Sequence, residues 1–431
     1  MQLRVDAGVS IGLLLALLFV PFLGLCQGNR VIELEHADKV EGRQVDSEDA
    51  REFIGDVKFK QENIHVTCDR ALQLLRSGKV ELTGNVVVVD DSGVTMRSPR
   101  GIYYRDQRRA VGLDSVNIDD GNVTLTAKYG EYFVDPKRAF FRKDVVVVDT
   151  ASVVTADSLT YFRVDKHSIA QGNVRVYNRT DNITMMGHRL DHWSERQFSH
   201  VTDRPVLVQV DSSGAGSFDT LVVRSREMEA YRDTTKLLVA TDSVRIVRTD
   251  LAAVCGLAKF YTEADSITLR LSPIVWYQDT QVTGDSINVH LKNRKLDFVD
   301  VMGNAFAISR GDSNFPDRYD QITGERMRMQ FADKGLQQID VETHAISLYH
   351  LYEDSLGNGL NRTSGDRILI QFEEGKVASI RVVGGVEGKY YPENLVGGKG
   401  NEFAIAGFRL YTNRPALHTL DTQLEKRPST K

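Results

Sequence analysis

Two histidines four residues apart, in His188-Arg-Leu-Asp-His192, are the sequence's nearest approach to a metal-binding pair. On a helix this spacing puts both imidazoles on one face and suits zinc. On an extended strand the two share a face but stand about 13 Å apart, too far for one ion whose ligand bonds are about 2 Å. The stretch falls in a strand pattern, so no metal is expected and both rings are read as strand surface. Cys68 and Cys255 would suit a disulfide in an oxidising compartment. They are more than six repeats apart, roughly 28 Å if each repeat adds one strand spacing, against a limit of about 7 Å between Cα atoms. The acids Asp90, Asp91, Asp119, Asp120 and Asp149 resemble catalytic pairs but sit at turn positions, where a carboxylate caps its own backbone. There is no G-x-S-x-G, no Cys–His nucleophile arrangement and no phosphate loop. The residues therefore point to no catalytic group and no cofactor.

What the chain does carry is a repeat. Gly55-Asp56-Val57, Gly84-Asn85-Val86, Ser115-Val116, Lys143-Asp144-Val145 and Gly172-Asn173-Val174 each open an apolar run, and their valines step by 29, 30, 29 and 29 residues. A second half-motif recurs between them: Cys68-Asp69-Arg70, Ser98-Pro99-Arg100, Ala127-Lys128-Tyr129 and Ala156-Asp157-Ser158. Later copies are looser. Arg204-Pro205-Val206, Asp242-Ser243-Val244, Gly303-Asn304-Ala305 and Gly384-Gly385-Val386 look like openings. Asp265-Ser266-Ile267, Asp285-Ser286-Ile287, Glu325-Arg326-Met327 and Asp366-Arg367-Ile368 look like the second half.

Within a repeat the period is two. Val174-Arg175-Val176-Tyr177 and Val57-Lys58-Phe59-Lys60 alternate apolar and polar, as strands with one buried face do. Asp119-Asp120-Gly121-Asn122 and Asp91-Ser92-Gly93 are hairpin-turn sequences. Parity points Val57, Phe59, Val174, Val176, Val244 and Ile246 inward. Register across the repeat adds Val86, Val88, Val116, Ile118, Val145 and Val147. Lys58 and Arg175 face solvent.

Nine prolines against 34 glycines suit many short strands joined by turns, and a formal charge of −5 offers nothing to nucleic acid. The N-terminus has one cation, Arg4, before an apolar run from Val9 to Leu25, the layout of an export signal. Leu23-Gly24-Leu25-Cys26 resembles a lipoprotein box, which would lipidate Cys26. Gly24 and Cys26 equally supply the small residues of ordinary cleavage, and retention as an anchor is a third option. All three export the rest of the chain.

The Gly-Asn-Val openings, the Ala-Asp-Ser-Leu-Thr-Tyr half-motif and the 29-residue step resemble the OstA-like domain of lipopolysaccharide transport. That domain is found in the periplasmic bridge protein and at the N-terminus of the outer-membrane translocon. The resemblance implies an all-β, elongated antiparallel jellyroll, a folded-over stack of strands with an apolar interior for acyl chains. It also implies docking to other OstA-like modules through edge strands. The expected layout is a signal or anchor at 1–26, a first module at 31–200, a second at 201–405 and a loose tail at 410–431. The expected function is a periplasmic carrier of lipopolysaccharide or a similar glycolipid, lined by the twelve inward residues above. Two competing readings are a secreted polysaccharide-processing enzyme on a β-helix and a structural surface repeat. A β-helix would have rungs of about 20 to 25 residues, and the Gly-Asn and Asp-Gly pairs favour hairpins.

Overall fold

A computed structural model of the chain describes residues 32–417, apart from 62–63, 91–92, 135, 181, 214–216, 250, 293–294, 312–313, 333–334 and 354–355. The export segment, Cys26 and the last fourteen residues, 418–431, lie outside the described residues. Strand makes up 74% of the structure and helix about 2%, all in antiparallel pairings, so the expected all-β class holds. The chain forms two compact units. Among the described residues, one comprises those up to Gln209 with Tyr231–Thr234, and the other Val210–Ala230 with those from Thr235 onward.

The 29-residue step is a hairpin. In the first unit Lys79–Asp90, Arg109–Asp119, Arg138–Val148 and His167–Asn178 alternate with Thr95–Tyr104, Thr124–Phe133, Ser152–Phe162 and Ile183–Trp193. Each strand of 10 to 12 residues plus a short turn advances the chain by half a repeat. The turn acids cap as expected. Asp119 Oδ1 accepts the Gly121 N–H at 2.8 Å, and Asp120 Oδ1 accepts those of Asn122 and Val123 at 2.8 and 2.7 Å.

Each opening motif is a corner. Gly55, Gly84, Gly172, Gly303 and Gly384 and the residues after them all have positive φ, from 40° to 80°. Two left-handed residues in succession bend the strand back over itself. Across each corner one strand spends one residue more than its partner: Ile54 to Val57 spans Arg70 to Cys68, and Gln171 to Val174 spans Arg189 to Gly187. Left-handed φ is cheap for glycine and tolerable for Asn and Asp, which explains the Gly-Asn and Gly-Asp pairs.

The second half-motif is the other side of the same corner. Val57, Val86, Val116, Val145 and Val174 lie opposite Cys68, Ser98, Ala127, Ala156 and Gly187. On the inside of the bend there is room for a small residue only, and a Cβ at Gly187 would come within 2.6 Å of Val201 Cγ1. The polar residue that follows turns outward. Asp69 and Asp157 each accept from the corner asparagine, Asn85 and Asn173, at 2.9 Å.

Some readings need correction. Asp265-Ser266-Ile267 opens a hairpin strand, Ser266 pairing with Tyr261, whereas the residue facing the Asp242-Ser243 corner is Gly256. Corners at Leu271-Ser272 and Thr343-His344 carry no glycine and escaped the motif, although all four residues have positive φ. The tail expected to be loose from 410 is tied down at its start: Tyr411 and Arg414 bond to the side chain of Gln281 and the carbonyl of Gln278.

Candidate functional site

The inner face of the first unit is built from cross-strand rows. One row beyond the corners runs Phe59, Val66, Val88, Met96, Ile118, Leu125, Val147, Val154, Val176 and Met185, each residue opposite the next. The fold brings the predicted lining residues of this unit, except Val88, together in two clusters. Val57 and Val86, with Phe59 against them, join Phe53, Cys68 and Ala71. Val116, Ile118, Val145, Val147, Val174 and Val176 join Leu125, Phe141, Leu159 and Tyr161. Val244 and Ile246 are buried in the second unit.

The row is graded along its length. Ile118, Leu125 and Val147 are at most 1% exposed, while Phe59, Val66, Val88 and Met96 are half-buried. The interior is therefore packed shut in the middle of the unit and partly open among its first strands. The first edge continues this opening. Glu33–His36 and Lys39–Val45 both pair with Glu48–Gln61, and they carry the exposed Leu34 and Val40. At the far margin of the second unit, Lys376–Val383 and Glu387–Tyr391 pair with Leu356–Glu373 and leave Val383 and Tyr390 more than half exposed.

On the other leg of each strand a second inner row contains Gly101, Gly112 and Gly130 in consecutive strands. With no side chains there, the facing leg packs onto backbone. A Cβ at Gly112 would lie 2.8 Å from Val116 Cγ2, and one at Gly130 would lie 3.2 Å from Phe141 and Val116. These glycines belong to no opening motif, and their single signal is a register that spaces them one strand apart.

The outer face carries a seam the sequence reading missed. Phe162, His167, Trp193, Phe198 and Tyr231 pack in series, with centroids 4.3 to 5.8 Å apart; His167 and Trp193 are 4.3 Å apart and nearly parallel at 3°. Arg109 and Arg138 extend it over Tyr104 and Phe133. Because the first rings stack on each other, their faces are already occupied, and the seam serves cross-strand packing. Lys58, expected on this face, pairs with Asp56 at 2.7 Å.

The two candidate histidines differ in a way that parity did not predict. His188 is exposed at the corner opposite Gly172-Asn173, while His192 is buried. The bend breaks the alternation between them. His192 Nδ1 lies 2.9 Å from Ser199 Oγ. Burial, with Arg232 nearby, pushes its pKa down to about 4. Among the described residues no group of three His, Cys, Asp or Glu could hold a metal. Cys68 and Cys255 are buried free thiols, their pKa values raised to about 11 and 12 by desolvation.

Residues 29–187 match the family model described as OstA-like protein, which bears out the resemblance read from the repeats over that stretch. Twelve solved chains are similar. One is LptH of Pseudomonas aeruginosa, described as the LptA homologous periplasmic component of the conserved lipopolysaccharide transport device. It is 12% identical with a TM-score of 0.26, over 33% of this chain and 95% of that one. No curated protein matches.

Proposed function

We propose, from the OstA-like match over residues 29–187, that this chain is a periplasmic lipid-carrying scaffold of lipopolysaccharide export, with no catalytic role of its own. The observation that carries the reading is the graded inner row, half-open at Phe59, Val66, Val88 and Met96 and sealed at Ile118, Leu125 and Val147. An acyl chain entering among the first strands would meet the apolar side chains of Phe59, Val66, Val88 and Met96. Each methylene buried contributes about 0.8 kcal/mol, so a few suffice to hold a chain out of water. The ligand is lipopolysaccharide or a similar glycolipid. The partners are other OstA-like modules, docked by strand addition at margins such as Glu33–Val45 and Lys376–Tyr391. The site is in the periplasm, with the N-terminus free, lipidated at Cys26 or anchored.

A second reading has its own observation. The middle of the row is so well packed that the unit works equally as a rigid dry spacer between two docked partners. Photo-crosslinking in cells separates the two. Groups at Phe59 and Val88 should capture glycolipid most, groups at Val147 and Val176 less, and groups at Lys58 and Arg175 none. Absence of lipid at Phe59 and Val88 in a folded, exported protein would leave the spacer.

A further inference from the structure

The second unit is buried on both faces of one stretch of sheet. Cross-strand pairing places Ala252, Trp276, Gln281, Ile308, Gln321 and Leu348 in one row, turned away from the inward Val275, Val282 and Ala307. All nine are buried. In the first unit the equivalent outward positions after a corner, such as Val87, Val146, Arg175 and Tyr177, are only half-buried. A strand buried on both faces needs a second cover, and here that cover is the chain's own residues 393–414.

The contacts are discrete. Glu393 accepts from Arg318 Nη1 at 3.1 Å and from the Gly359 N–H at 3.2 Å. Val396 and Ile405 bury against Phe306, Ile308, Leu348 and Leu360, with Phe403 and Phe408 beside them. The Ile405 N–H donates to Gln321 Oε1 at 2.8 Å. Gln281 does more, since its Nε2 donates to the Arg409 carbonyl and its Oε1 accepts from the Tyr411 N–H, both at 2.8 Å. One buried amide thus reads the backbone of an extended segment as a neighbouring strand would. Tyr411 packs beside Trp276, and Arg414 donates to the Gln278 carbonyl at 2.7 Å.

Between the anchors Val396 and Ile405 lies Gly397-Gly398-Lys399-Gly400. Gly398 has φ +72° and open space around it, the make-up of a swivel. The segment beyond it is held by a few side-chain bonds and apolar anchors, with no strand ladder, so it can open without the sheet. Once open, it leaves buried glutamines unsatisfied and an apolar groove exposed. The segment that best fits the vacated groove is the identical one from a second molecule.

We propose that this outer face is a peptide groove specific for the chain's own residues 401–414, and that two copies exchange these segments about the Gly397–Gly400 swivel to form a dimer. The idea stands apart from the lipid reading, because it concerns the opposite face of the sheet.

The test uses the full chain in unlabelled and nitrogen-15 forms, with a benzophenone amino acid at position 408, whose ring sits 6.0 Å from Tyr319. The two forms are mixed at rising concentration, incubated and irradiated, and peptides joining position 408 to Tyr319 are weighed. Exchange yields mixed-isotope pairs that increase with time and concentration, together with a dimer by light scattering. Gln281→Leu removes two hydrogen bonds worth about 1 kcal/mol each, so mixed pairs should appear about tenfold faster or more. Same-isotope pairs alone at every concentration overturn the proposal, and a dimer without mixed pairs overturns it equally.

Discussion

Replacing Gly172 by alanine tests the account of the corners most directly. Gly172 has φ +75°, and an added Cβ would overlap the Asp157 carboxylate. A left-handed conformation costs an L-residue about 1–2 kcal/mol. Pushing the carboxylate aside also breaks its 2.9 Å bond from Asn173, worth about 1 kcal/mol. The single variant should therefore lose about 2–3 kcal/mol, read as a lower urea midpoint by far-ultraviolet circular dichroism with unchanged slope. Asp157→Ala alone should lose about 1 kcal/mol. In the double variant there is no carboxylate to displace, so the loss should fall short of the sum by about 1 kcal/mol. Lys143, at φ 64° in the equivalent corner, is the converse case, and Lys143→Gly should stabilise by up to about 1 kcal/mol. Additive single and double losses, or a destabilising Lys143→Gly, would refute the idea that these pairs are chosen for backbone handedness.

Three further outcomes follow from the same geometry. Gly112→Ala forces a methyl against Val116 and should cost about 1–3 kcal/mol, recovered in part by Val116→Ala, both measured by urea unfolding. His192 is held neutral when folded, with a pKa near 4 against about 6.5 unfolded, so its contribution is complete above pH 6.5 and is lost as pH falls toward 4. That amounts to at most about 3 kcal/mol, and His192→Gln should flatten the pH profile of the unfolding midpoint across this window. Cys68 and Cys255 should resist a thiol reagent at pH 8 in the folded protein and both react in urea, seen by mass spectrometry of the labelled peptides.

Much of the fold was legible because the repeat is enforced by local chemistry. A left-handed pair selects Gly with Asn or Asp, and the inside of the bend selects Cys, Ser, Ala or Gly, so both halves of the motif survive in sequence. Inward valines were legible by parity on each straight leg, which is why Val116 through Val176 fall in one cluster. Parity fails across a corner, where one strand gains a residue, and so His188 and His192 part company. Leu271-Ser272 and Thr343-His344 were invisible because their handedness is imposed by the surrounding ladder and not by residue type. The cover at 393–414 has no periodicity to read. Its traces are Ile274-Val275-Trp276 and Ala305-Phe306-Ala307-Ile308, apolar at successive positions and all buried.

The row of Gly101, Gly112 and Gly130 makes the grip between the two legs uneven. Farther along the same row, at Phe141 and Leu159, parting the legs would strip large side chains of their neighbours, each worth about 1.5–3 kcal/mol of burial. At the glycines one jaw has no side chain to strip, so each ångström of parting costs less work there. A stack closed this way resembles a book with a soft crease: bent from its loose first leaves, it gives along that line before the binding tears.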